Sequence, residues 1–138
     1  MTLRIEDYGL IGDTQTAALV GRDGSIDWCC LPRFDSAACF SKLLGDERHG
    51  YWRIAPAASP KPGTGDPLLS TRRQYRENSL VLETEWELPG GTVRLTDAMP
   101  VRDYHPEIVR LLECVKGEVE MRMDLVIRFE YGTAVPWV

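Results

Sequence analysis

Between Leu80 and Leu88 the chain alternates without a break: Leu80, Leu82, Thr84, Trp86 and Leu88 are interleaved with Val81, Glu83, Glu85 and Glu87. A period of two places one set of side chains on a core and the other in water, which is the signature of a half-buried strand. Gly90-Gly91 follows as a two-residue turn, and Thr92-Val-Arg-Leu-Thr96 returns with the same period. Ile108 to Val115 reads as a more fully apolar strand, with Lys116-Gly117-Glu118 as its turn. The same alternation resumes in Val119, Met121, Met123, Leu125, Ile127, Phe129 and Tyr131, set against charged Glu120, Arg122, Asp124, Arg128 and Glu130. It predicts one long strand from Val119 to Tyr131, since helical spacing would scatter both sets around the axis.

The first fifty residues add a second hairpin. Thr16-Ala-Ala-Leu-Val20 and Ser25-Ile-Asp-Trp-Cys-Cys-Leu31 flank Gly21-Arg-Asp-Gly24, whose Gly and Asp residues suit the positive φ of a tight turn. Asp35 or Ser36 caps a predicted short helix over Ala37 to Leu44, which Gly45 ends. A strand is expected at Tyr51-Trp-Arg-Ile54, followed by an exposed loop from Ala55 to Pro67, dense in Pro, Gly, Ala and Ser. Strands joined by short turns, with one short helix and no internal repeat, predict a mainly β protein built as an antiparallel β-sandwich.

Composition narrows the function classes. A chain of 138 residues fits one domain with a real core. Its net charge of -5, from 16 basic and 21 acidic side chains, offers no basic face for nucleic acid. No apolar run approaches the roughly 18 residues of a spanning helix, so no membrane partner is expected. Acidic residues follow Met1-Thr-Leu-Arg-Ile where a secretory signal would turn apolar, so a cytoplasmic location is expected. Cys29, Cys30, Cys39 and Cys114 form no CxxC pair, adjacent Cys29 and Cys30 would face opposite sides of a strand, and all four read as reduced thiols filling core space.

Catalytic patterns are scarce. His49 and His105 lack metal-ligand spacing, no nucleophile elbow or phosphate loop occurs, and no metal or cofactor is expected. Asp27, Asp35 and Asp97 sit among apolar or aromatic neighbours, where burial raises a carboxyl pKa toward general-acid use; turn or cap hydrogen bonding explains the same residues. Trp28, Trp52, Trp86 and Trp137 suit either a sugar-stacking platform or core packing.

Three stretches occur together in order: Ile5-Glu-Asp-Tyr-Gly-Leu-Ile-Gly-Asp-Thr-Gln-Thr-Ala-Ala-Leu-Val20, Gly24-Ser-Ile-Asp-Trp28 and Leu31-Pro-Arg-Phe-Asp-Ser36. With Arg94-Leu-Thr-Asp-Ala-Met-Pro100 and Arg128-Phe-Glu-Tyr-Gly132, they make the chain resemble the N-terminal domain of bacterial trehalases and glucoamylase-like enzymes of glycoside hydrolase family 15. The resemblance implies a β-sandwich, here a truncated super-sandwich, placed before a helical (α/α)6 barrel that holds an inverting pair of glutamates. It implies that residues 1–138 are that N-terminal domain cut before its natural end, since Ala134-Val-Pro-Trp-Val138 ends on an apolar run. The barrel's motifs are missing, so no catalytic residue is expected in this chain and it should be inactive alone. Two readings follow. One is a module that supports and orients the barrel, with Trp28, Arg33, Phe34 and Asp35 as interface or substrate-proximal residues. The other is a carbohydrate-binding module using exposed tryptophans. The partners expected are the parent's catalytic barrel and, through unpaired strand edges, a second copy of the chain.

Overall fold

A computed structural model describes residues 3–58 and 70–137. Ten strands lie among them: β1 (Tyr8–Gly12), β2 (Ala17–Gly21), β3 (Ser25–Cys30), β4 (Ala38–Phe40), β5 (Tyr51–Pro56), β6 (Ser70–Tyr75), β7 (Leu82–Leu88), β8 (Gly91–Ala98), β9 (Val109–Gly117) and β10 (Met121–Val126). One sheet runs β1-β2-β3-β5-β10, with β4 attached to β3, and the second runs β6-β7-β8-β9. Every pairing is antiparallel, so the predicted mainly β, sandwich-like architecture holds.

The alternation in β7 does what its period requires. Leu82, Thr84, Trp86 and Leu88 are buried, while Glu83, Glu85 and Glu87 face outward or lie half-buried. Trp86, Leu88, Val93 and Leu95 pack against Ile54 of the first sheet, and Leu82 joins Ile11, Val20, Ile26 and Phe40. Gly24 turns the β2–β3 hairpin at φ +80°, and a Cβ there would lie 2.0 Å from the Ile54 carbonyl oxygen. Only glycine meets both demands.

Polar groups also clamp the two sheets together. From β6, Arg73 donates to the carbonyls of Asp7 and Val20, and the Tyr75 hydroxyl exchanges hydrogen bonds with the backbone of Leu10. From β9, Arg110 holds Asp97 through two hydrogen bonds and donates to the carbonyls of Trp52 and Gly24 across the interior. Asp13 and Arg102 form a second buried ion pair, at 2.6 Å.

Four sequence expectations need correction. The predicted helix over Ala37–Leu44 is instead strand β4 followed by a 3-10 turn at Lys42–Leu44. Ala38, Cys39 and Phe40 are all buried, and pairing with Cys29 and Cys30 satisfies their backbone better than two turns of helix would. The hairpin turn after β7 falls on Pro89-Gly90, since Gly91 already pairs with Leu88. At Glu118 the chain changes sheets, and β10 pairs with β5. The predicted long strand stops at Val126, whose partner Tyr51 is the first residue of β5; beyond it the Arg128 N–H donates to the Cys39 carbonyl of β4, and the chain folds into a tight turn at Glu130–Gly132 with Glu130 and Tyr131 at positive φ. Finally, Ala55 and Pro56 of the predicted loop are buried strand residues, and residues 59–67 of it lie outside the described residues.

Across from buried Leu95, Leu112 of β9 is 40% exposed; Met123 and Leu125 of β10, opposite Ile54 and Trp52, are 62% and 47% exposed. Opposite residues on an antiparallel pair share a face, so these side chains point toward the interlayer side and yet meet water. Among the described residues the sandwich is open at this edge.

Candidate functional site: an aromatic hollow and a buried carboxylate

The outer face of the first sheet carries the residues singled out by sequence. Register places Leu10 opposite Leu19, and Leu19 opposite Trp28. This cross-strand row floors a hollow of about 250 Å³, completed by Thr16, Ala17, Cys30 and Phe34. Phe34 comes from the loop between β3 and β4, which enters through a cis Leu31–Pro32 peptide. The loop is tied down by Phe34 N–H donating to the Gln15 carbonyl and Ser36 N–H donating to the Arg33 carbonyl. The Ser36 hydroxyl accepts from the Arg33 N–H in return. Arg33 and Asp35 pair with each other at 2.9 Å on the exposed loop surface. Trp28 and Phe34 therefore share one hollow, with Arg33 and Asp35 beside it on the same loop. Tyr131 flanks Trp28 at a centroid distance of 6.2 Å.

The hollow is apolar. Its Thr16 hydroxyl is already committed to the Cys30 carbonyl, leaving few groups to receive sugar hydroxyls. The tryptophans form no exposed row. Trp86 is buried, Trp52 turns inward with its indole nitrogen buried and unpartnered, Trp28 is half-buried, and Trp137 is fully exposed near the end of the chain.

Next to Trp28, Asp27 is the extra residue of a β-bulge: Ile26 pairs with Val20 and Trp28 with Leu19. Its carboxylate is 2% exposed, accepts the Tyr8 hydroxyl at 2.7 Å and lies 3.7 Å from the Lys42 ammonium, while its Oδ1 has no hydrogen-bond partner. Burial pushes the Asp27 carboxyl above its ordinary range, against the Tyr8 hydrogen bond and the Lys42 charge. Burial and the Asp27 hydrogen bond likewise drive the Tyr8 phenol far upward. Lys42 also sits 4.7 Å over the Tyr51 ring.

The three carboxylates weighed as acids each have their own cation: Lys42 for Asp27, Arg33 for Asp35 and Arg110 for Asp97. The structure pairs none of them with another carboxylate. His49 contacts Asp46 in an exposed turn, and no group of three or more His, Cys, Asp or Glu among the described residues could hold a metal ion. Sequence reasoning missed Tyr8, Lys42, Leu10, Leu19 and the arginine clamps. Leu10 and Leu19 had a usable signal, because correct hairpin register alone sets them in line with Trp28. Lys42 and the arginines had none, since their partners lie up to 89 residues away in sequence.

The family model described as "Trehalase-like, N-terminal" matches residues 1–136. The chain is 36% identical to a trehalase of Thermoplasma volcanium over 138 aligned residues, covering 96% of this chain and 21% of that protein. It is 30% identical to a trehalase of Mycolicibacterium smegmatis, covering 92% of this chain and 20% of that protein. It is 33% identical to trehalase 2 of Sulfolobus acidocaldarius, covering 91% of this chain and 19% of that protein. The chain thus spans about a fifth of the length of these relatives, and no solved structure matches it significantly. With the model matched over nearly every residue, this chain belongs to the trehalase-like N-terminal family.

Proposed function

We propose that this chain is the non-catalytic N-terminal module of a trehalase-like hydrolase of the family 15 type, and that it supports and orients a catalytic barrel in the cytoplasm. The observation that carries the reading is the Trp28–Phe34 hollow. A half-buried tryptophan, an exposed phenylalanine and two leucines gather on one face, beside a loop bearing Arg33 and Asp35. Clustered apolar side chains rimmed by charge suit a protein interface. Coverage of only about a fifth of each relative agrees with a module.

The carbohydrate-binding alternative requires a row of exposed tryptophans with free hydroxyl or amide partners, and the hollow offers neither. The chain alone is expected to release no glucose from trehalose or maltooligosaccharides. In the full-length parent, Phe34→Asp should lower glucose release from its substrate while leaving this domain folded by circular dichroism. Unchanged activity in that variant, or quenching of tryptophan fluorescence in the isolated chain by either sugar, would overturn the reading.

A further inference from the structure

We propose that Cys29 and Cys39 are an oxidisable pair that closes into a disulfide between β3 and β4, a property independent of the reading above. The two strands meet through a bulge. Cys29 is opposite Phe40 and Cys30 is opposite Ala38, so Cys39 is the additional residue wedged into the pairing. The bulge sets Cys39 next to Phe40, the residue opposite Cys29, and a disulfide spans about 4.4–6.8 Å between Cα atoms. The Cys39 thiol reaches the backbone of Cys29, with Sγ 3.4 Å from the Cys29 carbonyl oxygen. Both belong to the same core cluster. Cys30, the adjacent alternative, lines the outer hollow on the opposite face of β3.

The environment assigns the order of events. Cys39 is the less enclosed thiol, 7% exposed against 0% for Cys29. The neighbouring Cys29 thiol holds the Cys39 thiol below its ordinary range, and the same proximity together with burial pushes the Cys29 thiol up. With a low-molecular-weight disulfide as oxidant, the Cys39 thiolate attacks one of its sulfurs and expels the first thiolate. The Cys29 thiol then loses its proton and attacks Cys39 Sγ, expelling the second. Two protein thiols are oxidised and one small disulfide is reduced, the two protons given up by Cys39 and Cys29 ending on the two small thiols expelled. The new bond fastens the three-residue strand β4 to its pairing partner β3 and closes the loop that carries Arg33, Phe34 and Asp35.

The test uses the Cys114→Ser chain, which lacks the exposed thiol, incubated with oxidised glutathione in urea just below its unfolding transition so that burial does not limit access. Free thiols are then alkylated in full denaturant and mapped by mass spectrometry. The expected result is loss of two of three alkylatable thiols, a mass lower by two hydrogens, and a peptide linking Cys29 to Cys39 with Cys30 alkylated. Adding Cys29→Ala should convert the product to a stable glutathione adduct at Cys39. A Cys30–Cys39 link, persistent glutathione adducts in the pair-intact chain, or three thiols still alkylatable would each overturn the proposal.

Discussion

Removing one member of the Asp97–Arg110 pair should cost more stability than almost any other single change in this chain. Both side chains are fully buried, the carboxylate is held at 2.7 and 3.3 Å, and Arg110 further donates to Trp52 and Gly24 carbonyls on the opposite sheet. The guanidinium also lies 5.2 Å from the Trp52 ring. An exposed ion pair is worth about 0–1 kcal/mol, whereas breaking a buried one strands a desolvated charge at about 3–5 kcal/mol. Asp97→Ala leaves Arg110 charged with carbonyls alone as partners; Arg110→Ala leaves a buried carboxylate and two orphaned carbonyls. Each single variant should therefore lose about 3–5 kcal/mol, a large share of the roughly 5–15 kcal/mol that holds a domain together. The combined Asp97→Leu, Arg110→Met variant should recover much of that loss, because an apolar replacement removes both desolvation penalties. Urea unfolding followed by tryptophan fluorescence reads the midpoints, with Trp52 and Trp86 as buried reporters. Single variants costing under about 1 kcal/mol would behave as exposed pairs do, and would refute the claim that Arg110, paired with Asp97, ties the two sheets together in a dry interior.

Three further outcomes are expected. Asp27→Asn should stabilise the fold at pH 7 by about 1 kcal/mol, since it removes a buried charge while keeping an acceptor for Tyr8; because burial raises the Asp27 carboxyl above its unfolded value, the native chain regains that stability as pH falls toward 4, so the advantage should shrink on acidification, and a constant difference between pH 4.5 and 7 would contradict it. Arg102→Ala should move the acid-unfolding midpoint to higher pH. Burial opposes ionisation of Asp13, but Arg102 and the Gln15 and Thr16 N–H groups outweigh it and hold the carboxyl below its usual range, so its stabilisation survives until the pH drops through that lowered value; an unmoved midpoint in a circular-dichroism titration would count against the pair. The isolated chain should self-associate through the open edge at β9 and β10, and Met123→Glu should shift it toward monomer in light scattering, whereas a monomeric unaltered chain would rule this out.

Most strands were legible in the sequence, because a side-chain period of two is set by backbone geometry alone. Leu82 to Leu88 and the Gly21–Gly24 hairpin behave as their local pattern dictates, and Trp28 and Phe34 stood out as unusual residues in an ordered motif. What alternation cannot encode is which sheet a strand joins or where its partner ends. Met121 to Tyr131 keeps its alternation for eleven residues, yet the strand stops at Val126 because β5 begins at Tyr51 and offers nothing further to pair with. Ala38–Phe40 looked helical until pairing with β3 gave its backbone a better partner. The candidate site divides the same way. Sequence supplied the aromatic residues, but the hollow exists because register aligns Leu10, Leu19 and Trp28. The carboxylates of Asp13, Asp27 and Asp97 gained their roles from cations distant in the chain. Those assignments depend on which groups share a water-free space, and only the packed sheets decide that.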